Sequence, residues 1–210
     1  MTKPQQTDYF SRVNDFREPD PQRRFVVWGG LAWIEAIALS LGGCGSRPDP
    51  DFILEAPLMM QLKSIAFAQE GMIPKQYTCD GEGISPPLSW DAPPEGTQSL
   101  VLIVDDPDAP GQTFVHWVLY NLPPETRDLP ERLPAIADLD NGGVQGSNDF
   151  DQLGYGGPCP PGGTHRYFFK LYALDTRLEL PPGVSKPRVI DAMEGHILAA
   201  AELMGRYTRE

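Results

Sequence analysis

The sequence predicts a mainly β domain, an antiparallel β-sandwich of two sheets with a C-terminal amphipathic helix. Three observations predict it. Apolar runs of strand length recur across residues 61–175, each bounded by glycine and proline. Glycine (21) and proline (23) are abundant in the 210 residues, yet 40% of the chain is hydrophobic, more than a disordered chain carries. One segment near the C-terminus, and no other in the domain, repeats its apolar residues at helical spacing.

The strands follow in order. Residues 61–67 (QLKSIAF) alternate loosely and open the sheet. Residues 84–90 (ISPPLSW) read as an edge strand, since Pro86 and Pro87 cannot donate to a ladder. Residues 99–104 (SLVLIV) form a continuous β-branched and apolar run, the mark of a central strand buried on both faces. In residues 115–122 (VHWVLYNL), strict alternation puts His116, Val118 and Tyr120 on one face and Val115, Trp117 and Leu119 on the other. Residues 123–144 lack periodicity and read as a long surface connection. In residues 165–175 (HRYFFKLYALD), His165, Tyr167, Phe169, Leu171 and Ala173 share one face; Arg166, Phe168, Lys170, Tyr172 and Leu174 share the other. Ser185 and Pro187 are start signals for a helix over residues 187–207, on which Val189, Met193, Ile197, Ala200, Met204 and Tyr207 form one stripe.

The domain spans residues 59–210. Ahead of it, residues 1–43 read as a polar, disordered, signal-peptide-like extension and residues 44–58 as a linker. Arg23 and Arg24 precede an apolar run over residues 25–41, interrupted by Glu35 and closed by Leu41-Gly42-Gly43-Cys44. That ending resembles the lipoprotein cleavage box, in which Cys44 becomes the lipidated first residue of an exported protein anchored in a membrane and facing the periplasm. The other reading starts translation at Met59 or Met60 and leaves the protein cytoplasmic.

Net charge is −12, and because acidic and basic residues balance over residues 1–43, the domain and linker carry the whole excess. Nucleic-acid binding needs clustered Lys and Arg to neutralise phosphates, so that class is disfavoured. A small anion answers to local groups and stays open.

Residues 154–163 (GYGGPCPPGG) hold almost nothing but glycine and proline. Such a segment makes a rigid, shaped rim, because proline locks φ and glycine lets a ligand approach the backbone. His165 and Tyr167 follow it on one strand face. Asp105-Asp106-Pro107-Asp108-Ala109-Pro110 follows the buried central strand, so a desolvated carboxylate is expected there, with His116 or His165 as its partner. The competing reading of these acids is a solvated turn. His196 reads as structural.

Residues 105–110 (DDPDAP), 116–123 (HWVLYNLP) and 154–175 together resemble the phosphatidylethanolamine-binding protein family, in particular its bacterial Raf-kinase-inhibitor-like branch. Residues 77–85 (YTCDGEGIS) and 195–207 (GHILAAAELMGRY) add to the likeness. The resemblance implies a two-sheet β-fold with a small pocket for phosphate or a phosphorylated headgroup. It places Asp106, Asp108, His116, Gly157, Pro158, Pro160, His165 and Tyr167 in the wall, and makes Ala109–Pro110 a candidate cis peptide. In that pocket His116, His165, Tyr167 and rim N–H groups would donate to the anion, and the two aspartates would orient the histidines. Arg166 points to the opposite face and is expected in a structural salt bridge. Cys79 and Cys159 are candidates for a disulfide in an exported chain and free thiols in a reducing compartment. Eukaryotic relatives regulate kinases, proteases or transcription complexes, which makes a regulated protein partner an expectation. The expected function is therefore non-catalytic binding, without a cofactor. A metal-assisted or general acid/base hydrolase using the same Asp, His and Tyr residues is the alternative. Against it, Ser147 and Thr164 lie in no nucleophile motif and no HExxH spacing occurs.

Overall fold

A computed structural model describes residues 60–209. The signal-peptide-like segment, the linker and Cys44 lie outside the described residues. The domain is mainly β, with two antiparallel sheets and a single α-helix among the described residues. The strands are β1 (Leu62–Lys63), β2 (Leu88–Trp90), β3 (Ser99–Asp106), β4 (Phe114–Leu122), β5 (Asp128–Leu129), β6 (Val144–Gln145), β7 (Gly163–Leu174) and β8 (Ile197–Arg209). Helix α1 spans Lys186–Met193. The small sheet has the order β1-β2-β5 and the large one β6-β4-β3-β7-β8.

Between the sheets lies one core. The large sheet contributes Leu100, Leu102 and Val104 of β3, Trp117 and Leu119 of β4, and Tyr167, Phe169 and Leu171 of β7. Leu62, Leu88, Trp90 and Leu129 face them from the small sheet. β3 is central and all eight of its residues are buried, the outcome expected of a strand covered on both sides. The alternation read along β7 also holds, with Tyr167, Phe169, Leu171 and Ala173 all in the core.

Four expectations need correction. First, β2 is the middle strand of its sheet, not an edge. Pro86 and Pro87 stop just short of the three ladder residues, so they cost no pairing. Second, residues 123–144 are not only a connection. β5 and the start of β6 lie in or at the end of them, and Leu129 and Leu139 are buried in the core.

Third, the C-terminal helix ends at Met193, and residues 197–209 form a strand. Ile197, Ala199, Ala201, Leu203 and Tyr207 alternate as well as they repeat at helical spacing, so the pattern alone was ambiguous. Gly195, at φ +82°, turns the chain back, and β8 then pairs with β7 along nearly the whole length of both. The long edge of β7 needs a backbone partner, and that demand overrides the helix propensity of Leu198-Ala199-Ala200-Ala201. His196 sits in the turn before β8, not on a helix, and its Nδ1 donates to Asp175 Oδ1 at 2.8 Å.

Fourth, β4 does not alternate strictly. Val104 pairs with Trp117 and Asp105 with Val115, so His116 is the extra residue of a β-bulge. The bulge turns His116 away from the Val118 and Tyr120 face and against Tyr167, with ring centroids 5.2 Å apart. Tyr120 remains on the outer face, where its hydroxyl donates to Pro181 O at 2.7 Å.

The outer face of the large sheet holds a buried charge cluster. Asp105 is 1% exposed and accepts from Lys170 Nζ at 3.0 Å and Lys186 Nζ at 2.6 Å. Lys186 opens α1, so this carboxylate ties the helix to the sheet. Glu202 lies opposite Lys170 in the ladder, and burial together with the charge of Asp105 pushes its carboxyl pKa up, against the pull of Lys170.

Candidate functional site

A pocket of about 220 Å³ opens at the end of β3 and the starts of β4 and β7. Asp106, Ala109, Pro110, Phe114, His116, Phe150, Cys159, Pro160, Pro161 and His165 line it. Consecutive residues of β3 point to opposite faces, so Asp105 goes to the helix side and Asp106 to the pocket.

Asp106 is 3% exposed, and both of its oxygens are engaged. Oδ2 accepts from His165 Nδ1 at 2.7 Å, and Oδ1 accepts the Asp108 N–H at 2.8 Å. The second bond is an Asx turn that shapes the loop after β3. The Ala109–Pro110 peptide in that loop is trans, a correction to the expected cis bond. Trans is the lower-energy form of X–Pro by about 0.5–1 kcal/mol, and the Asx turn already reverses the chain without a cis bond.

His116 Nδ1 donates to Gly156 O at 2.7 Å. Because a carbonyl only accepts, this bond fixes the proton on Nδ1. Burial pushes the imidazole pKa down, against the opposing effects of the Gly156 bond and the Asp106 charge. The ring is therefore neutral at pH 7 and its Nε2 carries a lone pair. His165 also spends Nδ1 on a protein partner. Neither Nε2 has a hydrogen-bond partner among the described residues, and both rings line the pocket.

Four residues placed in the wall by resemblance are elsewhere. Asp108 turns out of the pocket and is gripped by Arg166, with Nε at 2.9 Å from Oδ2 and Nη2 at 2.7 Å from Oδ1. That guanidinium holds the Asp108 carboxyl below its usual range. The pair is the salt bridge expected of Arg166. Tyr167 is fully buried beneath the floor, edge-on to His116. Burial and then the Asp106 charge push its phenol pKa far up, and its hydroxyl finds no hydrogen-bond partner within bonding geometry among the described residues. Pro158 is buried behind the rim, and its carbonyl accepts the Cys79 N–H at 3.1 Å.

Gly157 is the fourth, and it faces the Tyr77–Thr78 backbone. A Cβ there would sit 2.9 Å from Thr78 Cα and from Tyr77 O. The glycine thus serves rim packing, not ligand approach. Gly157→Ala is expected to cost about 1–3 kcal/mol, since backbone must move to admit the methyl. A lowered urea midpoint checks this, and an unchanged one contradicts it.

The pocket also has a wall the sequence did not point to. Phe114 and Phe150 meet edge-on at 4.8 Å, and both rings approach His116, at 5.2 and 5.5 Å. Phe150 comes from the irregular segment after β6, which has no periodicity to betray an inward residue. Cys159 joins the wall as well and is bonded to Cys79, Sγ to Sγ at 2.09 Å. Ser147 and Thr164 do not line the pocket, and the Thr164 hydroxyl pairs with Thr208 at 2.8 Å. Among the described residues no three His, Cys, Asp or Glu converge as metal ligands.

This arrangement offers one partly solvated cavity with two free imidazole nitrogens, a carboxylate already satisfied by protein groups and an apolar surround. It can hold a small polar group by hydrogen bonds and exclude water from one side of it.

Similar proteins share the fold and most of the chain. The phosphatidylethanolamine-binding protein family model matches residues 63–208. A UPF0098 protein of Methanothermobacter thermautotrophicus is 58% identical over 150 residues, 71% of this chain and 99% of the relative. One from Aquifex aeolicus is 52% identical over 155 residues, 72% of this chain and 90% of the relative. Among solved structures, a phosphatidylethanolamine-binding protein homolog from Chlamydia trachomatis is 46% identical with a TM-score of 0.67, over 72% of this chain and 99% of that one. YbcL of Escherichia coli is 33% identical with a TM-score of 0.65, over 72% and 99%. With the fold and these likenesses in agreement, the chain belongs to the phosphatidylethanolamine-binding protein family.

Proposed function

We propose that the pocket binds one small oxyanion, a phosphate or a phosphorylated headgroup, without turning it over. The observation that supports this is the pair of imidazoles. His116 and His165 each anchor Nδ1 on the protein and leave Nε2 to a ligand in the same small cavity. Asp106 fixes the His165 ring through Nδ1 and leaves Nε2 turned to the cavity, where it can meet a ligand oxygen. No hydroxyl or thiol in the wall lies beside a base as a free nucleophile, since Cys159 is in a disulfide.

Calorimetric titration of the full chain with inorganic phosphate and with phosphoethanolamine tests the reading. Wild type is expected to bind one equivalent, and His165→Ala to bind at least tenfold more weakly, the order of one hydrogen bond to a charged ligand. If His165→Ala binds phosphate as tightly as wild type, the pocket is misassigned.

A further inference from the structure

The Cys79–Cys159 disulfide is the pocket feature that anion binding does not use. Three observations converge on it. Both cysteines are exposed to solvent, although one of them forms part of the pocket wall. Exposed disulfides are the ones that exchange with external thiols. The bridge also closes a long loop, the two cysteines being separated by 80 positions along the chain.

The third observation is what the bridge holds in place. Cys159 is followed by Pro160 and Pro161, which complete that side of the pocket and carry no N–H with which to join a backbone ladder. On the other side of the sulfur the rim is tied to residues 77–79 by noncovalent contacts. Tyr155 Oη donates to Tyr77 O at 2.8 Å, and the Cys79 N–H donates to Pro158 O. Those ties end at Pro158. Pro160 is buried but makes no hydrogen bond among the described residues, so between Pro158 and the first β7 pair at Gly163 the bridge is the covalent cross-link of this wall. Arg209 Nη1 lies 3.5 Å from Cys159 Sγ, while Nε of the same guanidinium pairs with Asp80 at 3.2 Å. A cation therefore stands beside the sulfur that exchange would free, and it favours the thiolate that closes the bridge again.

We propose that the Cys79–Cys159 bridge is a thiol-exchange site that sets the affinity of the pocket, and this rests on the anion-binding reading above. A dithiol reductant attacks the bridge and leaves as its own cyclic disulfide. Two electrons and two protons pass to the protein, and Cys79 and Cys159 become free thiols. The wall from Cys159 to Pro161 then loses its covalent tie, the pocket loosens on the side facing His165, and anion binding weakens. Oxidation by a disulfide of the same class restores it.

The test uses the full chain, dithiothreitol as the dithiol and inorganic phosphate as the ligand. Thiols are counted by alkylation without denaturant, and phosphate affinity is measured before reduction, after it and after reoxidation. The expected result is two more alkylated thiols after reduction than before it, Cys44 counting equally in both states, with an unchanged far-ultraviolet circular dichroism spectrum, a Kd at least tenfold higher and recovery on reoxidation. The double variant Cys79→Ser/Cys159→Ser is expected to bind like the reduced protein and to ignore dithiothreitol. Equal phosphate affinity in the oxidised and reduced states overturns the exchange proposal and leaves anion binding standing. A bridge that resists reduction in the folded protein overturns it as well, as does reduction that unfolds the whole domain. Failure of the oxidised protein to bind phosphate removes both the anion reading and the proposal that depends on it.

Discussion

Asp105→Ala is expected to destabilise the domain by about 3–5 kcal/mol, the usual cost of removing one partner from a buried charge cluster. The carboxylate is 1% exposed and accepts from two ammonium groups, Lys170 and Lys186, whose side chains are 13% and 25% exposed. Removing it takes away the buried acceptor that both cations share. Lys186→Met removes only one donor and lets a partly exposed cation go, so it should cost about 1 kcal/mol or less. A urea titration reads the difference. For a slope of about 1.5–2 kcal/mol/M, the Asp105→Ala midpoint falls by about 2 M and that of Lys186→Met by less than about 1 M. Phosphate affinity at a temperature where Asp105→Ala is still folded should stay within a few-fold of wild type, because Asp105 faces away from the pocket. A midpoint within about 0.5 M of wild type would show that the cluster is neutral and that α1 is held by its apolar residues alone.

Asp105 also shows where sequence reading stops. Alternation predicts that neighbouring residues of a strand part company, and the buried run of β3 predicts that a carboxylate at its end is desolvated. Neither says which of Asp105, Asp106 and Asp108 meets a histidine, because that depends on where β7 and α1 lie. Asp106 meets His165, Asp105 meets two lysines and Asp108 meets Arg166. The β7 faces are legible because the alternation of residues 165–171 leaves one solution. Along β4 a single bulge shifted His116, and a bulge has no composition of its own when its residue is not glycine. The β8 residues satisfied both periods, and pairing with β7 chose between them. Phe114 and Phe150 were missed for a further reason. They converge from a strand start and an irregular loop, and only the folded chain brings those together. The rim glycines and prolines stand out in the sequence, but Gly157 and Pro158 pack against residues 77–79 and do not face a ligand.

At pH 7.5 the pocket is expected to prefer phosphate over sulfate by about 10- to 100-fold, the cost of leaving one desolvated acceptor without a donor. The preference comes from His116. Its Nδ1 proton is committed to Gly156 O, and burial pushes the ring pKa below 6.5, so at pH 7.5 Nε2 offers a lone pair. Phosphate carries a hydroxyl at this pH and can donate to that lone pair. Sulfate carries none, and its oxygens are repelled by it. As pH falls below 6.5 toward the lowered value of the ring, a second proton enters at Nε2 and turns the acceptor into a donor. Bound sulfate favours that protonated form, so it raises the His116 pKa and takes up a proton as it binds. Sulfate affinity must therefore rise as pH falls, and the gap to phosphate must close. His165 faces the same cavity, so His116→Gln is the control. That variant should lose most of the pH dependence of sulfate binding while keeping the His165 ring in place. Calorimetry with each anion at pH 7.5 and pH 5.5 decides the matter. Sulfate binding as tightly as phosphate at pH 7.5, or an equally steep pH dependence in His116→Gln, would mean that the Nε2 lone pair does not face the ligand.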